Sequence, residues 1–140
     1  MNYHYLEHTA DVLFEAYGKD LNELFRNTGL ATEEVMVELK TLTSKSEHKI
    51  TLEEKTVDDL LYHFLEELIF LKDTELLLFK EFEMNITEKK NSFKLYALCK
   101  GEKINRSKHK LGRDVKAVTL HEFEVKKENS HWKAKVLLDI

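Results

Sequence analysis

The chain has 140 residues, enough for one domain that buries roughly two-thirds of its unfolded surface without disulfides or metal. Its 42% hydrophobic and 34% charged residues exclude a disordered polymer, and a net charge of −4 gives no global attraction to nucleic acid. The single cysteine, Cys99, excludes an internal disulfide and a cysteine zinc cluster, and fits a cytoplasmic protein with a buried thiol.

The start, MNYHYLEHTAD, lacks the basic end and apolar stretch of a signal peptide. Tyr3 to Glu7 and Val12 to Tyr17 read as short strands, the second with Val12, Phe14 and Ala16 on one face. Gly18 turns the chain into a helix that begins near Asp20, with Glu23 as capping-box partner. Leu21, Leu24, Phe25 and Thr28 form its buried stripe, and Gly29 weakens its middle on the way to Val37.

A strand is expected over His48–Leu52. Thr56 then caps the strongest helix, where Val57, Leu60, Leu61, Phe64, Leu65, Leu68 and Leu71 recur at three- and four-residue spacings. Asp58 and Asp59 suit its first turn through the macrodipole. Glu66, Glu67, Lys72, Asp73 and Glu75 break the apolar run, so no membrane span is expected. Phe82, Met84 and Ile86 alternate, as do Phe93, Leu95, Ala97 and Cys99, with Lys89-Lys90-Asn91 as a hairpin loop between them. A polar stretch, Gly101 to Asp114, precedes two more strands, Ala117–Lys126 and His131–Asp139. The sum is an α+β fold, two helices packed on largely antiparallel sheet, in a single domain over 1–140.

Asp11 enters an apolar strand, and Asp139 is the only charged side chain in the closing VLLDI, beside the terminal carboxylate of Ile140. Such carboxylates, brought together, suit a hard cation such as Ca2+ or Mg2+; two ordinary strand-end aspartates would read the same way. Zinc catalysis is not expected from the seven histidines. His121-Glu122 lacks the second histidine of a metalloprotease helix, and the spacing of His4 and His8 has no helical meaning on a strand or turn. No phosphate loop and no nucleophile elbow is present, which argues against a stand-alone enzyme. Lys100, Lys103, Arg106, Lys108, Lys110, Arg113 and Lys116 make one segment basic, either as a contact for phosphate or an acidic partner or as a solvated loop. In the following strand Lys116, Val118 and Leu120 share one face, and Ala117, Thr119 and His121 the other. Either an edge strand or a strand lining a site has that pattern.

Three segments, HTADVLFEAYG (8–18), SKHKLGRDVKAVTLHEFEV (107–125) and the terminal VLLDI, together resemble the archease family. The helix run DDLLYHFLEELIFL and the ending WKAKVLLDI are similar to it too, so the likeness spans the chain. The resemblance implies a small cytoplasmic protein that activates a GTP-dependent tRNA-splicing ligase of the RtcB family. It would promote guanylylation of the ligase and repeated turnover, touching tRNA only through the ligase. It also implies a divalent cation, Ca2+ or Mg2+, on Asp11, Asp139 and Ile140, and a functional surface at His8, Lys116 and His121. Lys108 departs from the arginine usual before the histidine, and Leu13 from the small residue frequent after Asp-Val. A metal-dependent hydrolase of RNA ends and a general chaperone for RNA-processing proteins are the competing functions.

Overall fold

The computed structural model describes residues 2–6 and 11–140. An N-terminal hairpin, β1 (Tyr3–Leu6) and β2 (Asp11–Gly18), leads into helix α1 (Leu21–Met36), strand β3 (Ser46–Glu54) and helix α2 (Val57–Glu75). Four strands follow: β4 (Leu77–Glu88), β5 (Phe93–Lys103), β6 (Ala117–Glu128) and β7 (His131–Asp139). They form two antiparallel sheets, ordered β1-β2-β7-β6 and β3-β5-β4. The α+β expectation holds, with the strands divided between two sheets. Both helices touch both sheets, so residues from the helices and from both sheets share one core around Phe14, Phe25, Phe64 and Phe79.

Both helices start where their caps predict. Asp20 Oδ1 accepts the Glu23 N–H at 2.9 Å, and Glu23 Oε1 accepts from Lys19 N–H at 3.0 Å, one residue before the cap. Thr56 Oγ1 accepts the Asp59 N–H at 3.1 Å. The expected stripe of α2 is buried throughout, and the helix continues four residues past Leu71 until Leu76 closes it in the left-handed region. Gly29 does not interrupt α1. A Cβ there would stand 3.1 Å from the Phe82 ring and 3.3 Å from that of Phe64, so its missing side chain seats two aromatic rings.

β7 has the expected bounds, His131–Asp139, whereas β2 to β6 run longer than local alternation predicts because ladder pairing extends their ends. β4 begins at Leu77, directly after the helix, and β3 pairs with β5 from Ser46 to Glu54. Tyr3 to Leu6 is β1, and Glu7 lies outside the described residues. The last hairpin turns at Asn129, whose φ is 53°.

Candidate functional site

The registers of β2, β6 and β7 converge at one end of the larger sheet. Asp11 lies directly opposite Asp139, and Ala117 faces Asp139 from the other side. Opposed residues of an antiparallel pair project to the same face, with Cβ atoms about 4.5–5.5 Å apart. Next along that face come Leu13 and Leu137, both buried but outside the main core, then Glu15 opposite Lys135. Phe14, Val136 and Leu138 point the other way, into the core. The aspartates therefore stand on the outer face, both half-buried, beside an apolar step. Lys116 joins them through its backbone, its N–H donating to the Asp139 carbonyl at 2.8 Å. Ile140, next to Asp139, is partly buried against the core.

Two carboxylates facing each other, one residue from a terminal carboxylate, make an all-oxygen donor set that fits a hard cation. Like charges directly opposite on a ladder destabilise it. Among the described residues no three His, Cys, Asp or Glu side chains gather into a complete metal centre. Terminal, carbonyl or water oxygens would have to complete the roughly six to eight ligands Ca2+ takes.

What holds the approach to β6 is a pair of buried clamps. Lys72 is 7% exposed at the end of α2. Its Nζ donates to the Asp114 carboxylate and to the Val115 carbonyl at 2.8 Å, and lies 2.7 Å from Asp73 Oδ1. Val115 is fully buried, so this grip fixes the segment that delivers Lys116 to Asp139. The second clamp centres on Glu102, which accepts from Thr43 N–H at 2.6 Å and from Lys108 Nζ at 2.9 Å. His109 Nδ1 accepts from Asn105 N–H at 2.9 Å, which puts its proton on Nε2, 3.1 Å from Glu102 Oε2 but off hydrogen-bonding alignment. Burial opposes ionisation of Glu102, yet the Lys108 and Thr43 bonds, with the His109 ring close by, outweigh it and hold its carboxyl well below the ordinary range. Lys108 thus grips a carboxylate of its own chain. Sequence reading takes Lys72 as a break in an apolar run, because its partners lie 42 and 43 residues away.

The remaining expected positions are less concentrated. β6 is the edge of its sheet, and its register breaks between Thr119 and Glu124: four residues of β6 stand where β7 has only Val136. Alternation therefore ends at Thr119, and Glu122 has φ 59° inside the bulge. This corrects the expected sharing of a face by Ala117, Thr119 and His121. The His121 side chain is exposed and sits 3.8 Å from Glu122, while Lys116 is exposed one residue before the strand. His8 lies outside the described residues. Of the basic segment, Lys100 pairs with Glu83 at 2.8 Å, Lys108 with Glu102, and Lys110 reaches Glu38 at 4.0 Å. Cys99 is buried, its thiol pushed up to about 12 by burial and by the charge of Glu33. No helix among the described residues is long and apolar enough to cross a membrane.

Residues 3–140 match the family model described as the Archease protein family (MTH1598/TM1083). Protein archease of Pyrococcus abyssi is 36% identical over 138 residues, covering 98% of this chain and 96% of that protein. Protein archease of Methanothermobacter thermautotrophicus is 38% identical over 138 residues, covering 99% of this chain and 98% of that protein. The solution structure of Methanobacterium thermoautotrophicum protein 1598 superposes with a TM-score of 0.89 at 37% identity, covering 99% of each chain. A Thermotoga maritima crystal structure, described as an archease and possible chaperone, shares the fold at a TM-score of 0.59 and 22% identity over 96% of this chain and 94% of that one. Full-length similarity at this identity, together with three separated motifs meeting at one end of a sheet, places the chain in the archease family.

Proposed function

We propose that this chain activates a GTP-dependent RNA ligase of the RtcB type, promoting its guanylylation and repeated turnover in tRNA splicing or RNA repair. Family membership supports the reading, and one observation carries it: the Asp11–Asp139 register, which brings the first and last family motifs to the same point. Asp11, Asp139 and the Ile140 carboxylate would hold a Ca2+ or Mg2+ ion. When bound, that ion supplies a fixed positive charge among three carboxylates and ties the N-terminal motif to the last strand. The residues around it have separate tasks. Lys72 fixes Val115, and the Lys116 N–H fixes the Asp139 carbonyl, so the carboxylate is presented from a rigid ladder. The Lys116 side chain offers a cation beside that edge, and His121 on the bulge extends the contact surface; His8, which the family resemblance adds to it, lies outside the described residues. The chain contacts the ligase, and the ligase carries out the guanylyl transfer.

The test is formation of the ligase–guanylate adduct from labelled GTP, with and without this protein. Its presence is expected to raise adduct yield, and Asp139→Asn, which removes a charged ligand, to lower that stimulation by more than the roughly 10- to 100-fold typical of losing a ligand's outer-shell partner. Equal adduct formation with and without the protein would reject the proposal.

A further inference from the structure

The loop from Ile104 to Lys116 borders two adjoining clefts. One, about 360 Å3, has an apolar floor that includes Met36, Leu78 and Leu111, with Arg106 and Arg113 at its margin. The other, about 850 Å3, is lined by Lys45, Lys103 and Arg106 among others. They share Leu76, Ile104 and Arg106, which makes them one continuous groove. Arg113 also borders the cleft that contains Asp11, so the groove leads toward the carboxylate pair.

The charge of this groove is unbalanced in one direction. Its carboxylates are already engaged: Asp73 and Asp114 close on Lys72, and Glu102 is held by Lys108 and Thr43. Lys45, Lys103, Arg106 and Arg113 form no ion pair among the described residues. Between them stand Ile104 and Leu76, the latter 52% exposed, an apolar contact for planar groups at the junction of the clefts. Guanidinium forks match phosphate oxygens two at a time.

The loop's backbone decides between an extended peptide and a phosphate chain. Ile104 N–H donates to Leu76 O, His109 N–H to Asn105 O, Gly112 N–H to Met36 O, and Arg113 N–H to Val35 O. Asn105 and Ser107 N–H are used within the loop. A Cβ on Gly112 would lie 2.4 Å from the Val35 carbonyl, so the loop is pressed against the end of α1 and cannot turn those amides outward. A peptide adding as a strand would find its main-chain partners already taken. A ligand bound through side-chain cations and apolar contacts has no such need.

We infer that this groove binds single-stranded RNA directly, its phosphates on Lys45, Lys103, Arg106 and Arg113 and its bases against Leu76 and Ile104. This goes beyond ligase activation, in which RNA is met only through the ligase. Since no aromatic platform lines the groove, binding rests on phosphate contacts and falls steeply with salt.

Fluorescence anisotropy of a labelled single-stranded RNA oligonucleotide, in EDTA and without ligase, tests this. Four phosphate contacts at about 0.7 each predict that log affinity falls with log salt at a slope of roughly −2.8. Combining Arg106→Gln with Arg113→Gln is expected to reduce that slope by about 1.4, whereas Lys90→Gln on the β4–β5 turn leaves it unchanged. Both arginines are exposed, and an unchanged thermal melt of the double variant confirms its fold. Absence of binding at low salt, or binding whose slope survives the double substitution, overturns the inference. Displacement by polyglutamate as effective as by RNA of equal charge also overturns it, and assigns the groove to an acidic protein. With neither ligase nor cation present, a negative result here leaves ligase activation standing, and loss of activation leaves RNA binding standing.

Discussion

Ca2+ or Mg2+ at a hundred times its dissociation constant is expected to raise the melting temperature of this protein by about 10 °C, and EDTA to reverse the rise. Saturation at that level stabilises the native state by about 2.7 kcal/mol, and a domain of this size gains roughly 3–4 °C per kcal/mol. The expectation follows from register: Asp11 and Asp139 occupy directly opposed ladder positions, where like charges work against the pairing that a cation would reinforce. Asp139→Asn is expected to abolish the response. Extra residues appended after Ile140 should weaken it if the terminal carboxylate is a ligand. An identical melt with and without cation would remove the ion from the account.

The second large effect lies in the core. Glu33 on α1 is fully buried, with Oε1 accepting the Phe79 N–H at 3.0 Å and Oε2 without a hydrogen-bond partner. Burial pushes its carboxyl up to about 8, with the Phe79 bond and the charge of Lys72 on α2 only partly opposing the shift. The thiol of Cys99 on β5 is raised by burial and, beyond that, by the charge of Glu33. Between the ordinary carboxylate range and about 8 the native state therefore holds a proton that the unfolded chain has released. Stability must fall as pH rises through that window, by about 2 kcal/mol between pH 6 and pH 8. Glu102 is shifted the other way, so its contribution is lost only under acid conditions, outside this range. Glu33→Gln keeps an oxygen for the Phe79 N–H and cannot ionise. Denaturant melts at several pH values should show its stability nearly level across the window while that of the parent declines. Parallel curves for the two proteins would mean that Glu33 titrates normally.

What could be read in the sequence depended on whether the signal was local. Helix α2 was legible because seven apolar residues at helical spacing and a threonine cap lie in one continuous segment. Asp11 and Asp139 stood out because charges are rare in apolar strands, and their facing register turns two separate anomalies into one place. The reason for Gly29 inside α1 was not legible, because the rings that crowd the place of a Cβ come from Phe64 and Phe82, far along the chain. The bulge after Thr119 has no glycine to announce it; Glu122 takes the left-handed conformation itself. The basic segment looked like one surface, but its charges divide by tertiary pairing. Lys108 is spent on Glu102 inside the fold, whereas Arg106 and Arg113 face a groove. That division, like the grip of Lys72 on Val115, depends on partners that no local pattern identifies.

The most direct test of the account is multiple-turnover ligation of tRNA halves by the cognate ligase with GTP, using this protein in substoichiometric amount. The account predicts many ligations per ligase molecule only when the protein is present, and a return to the unassisted level with Asp139→Asn or Lys116→Ala. Turnover by a competent ligase that is the same with and without the protein would contradict it.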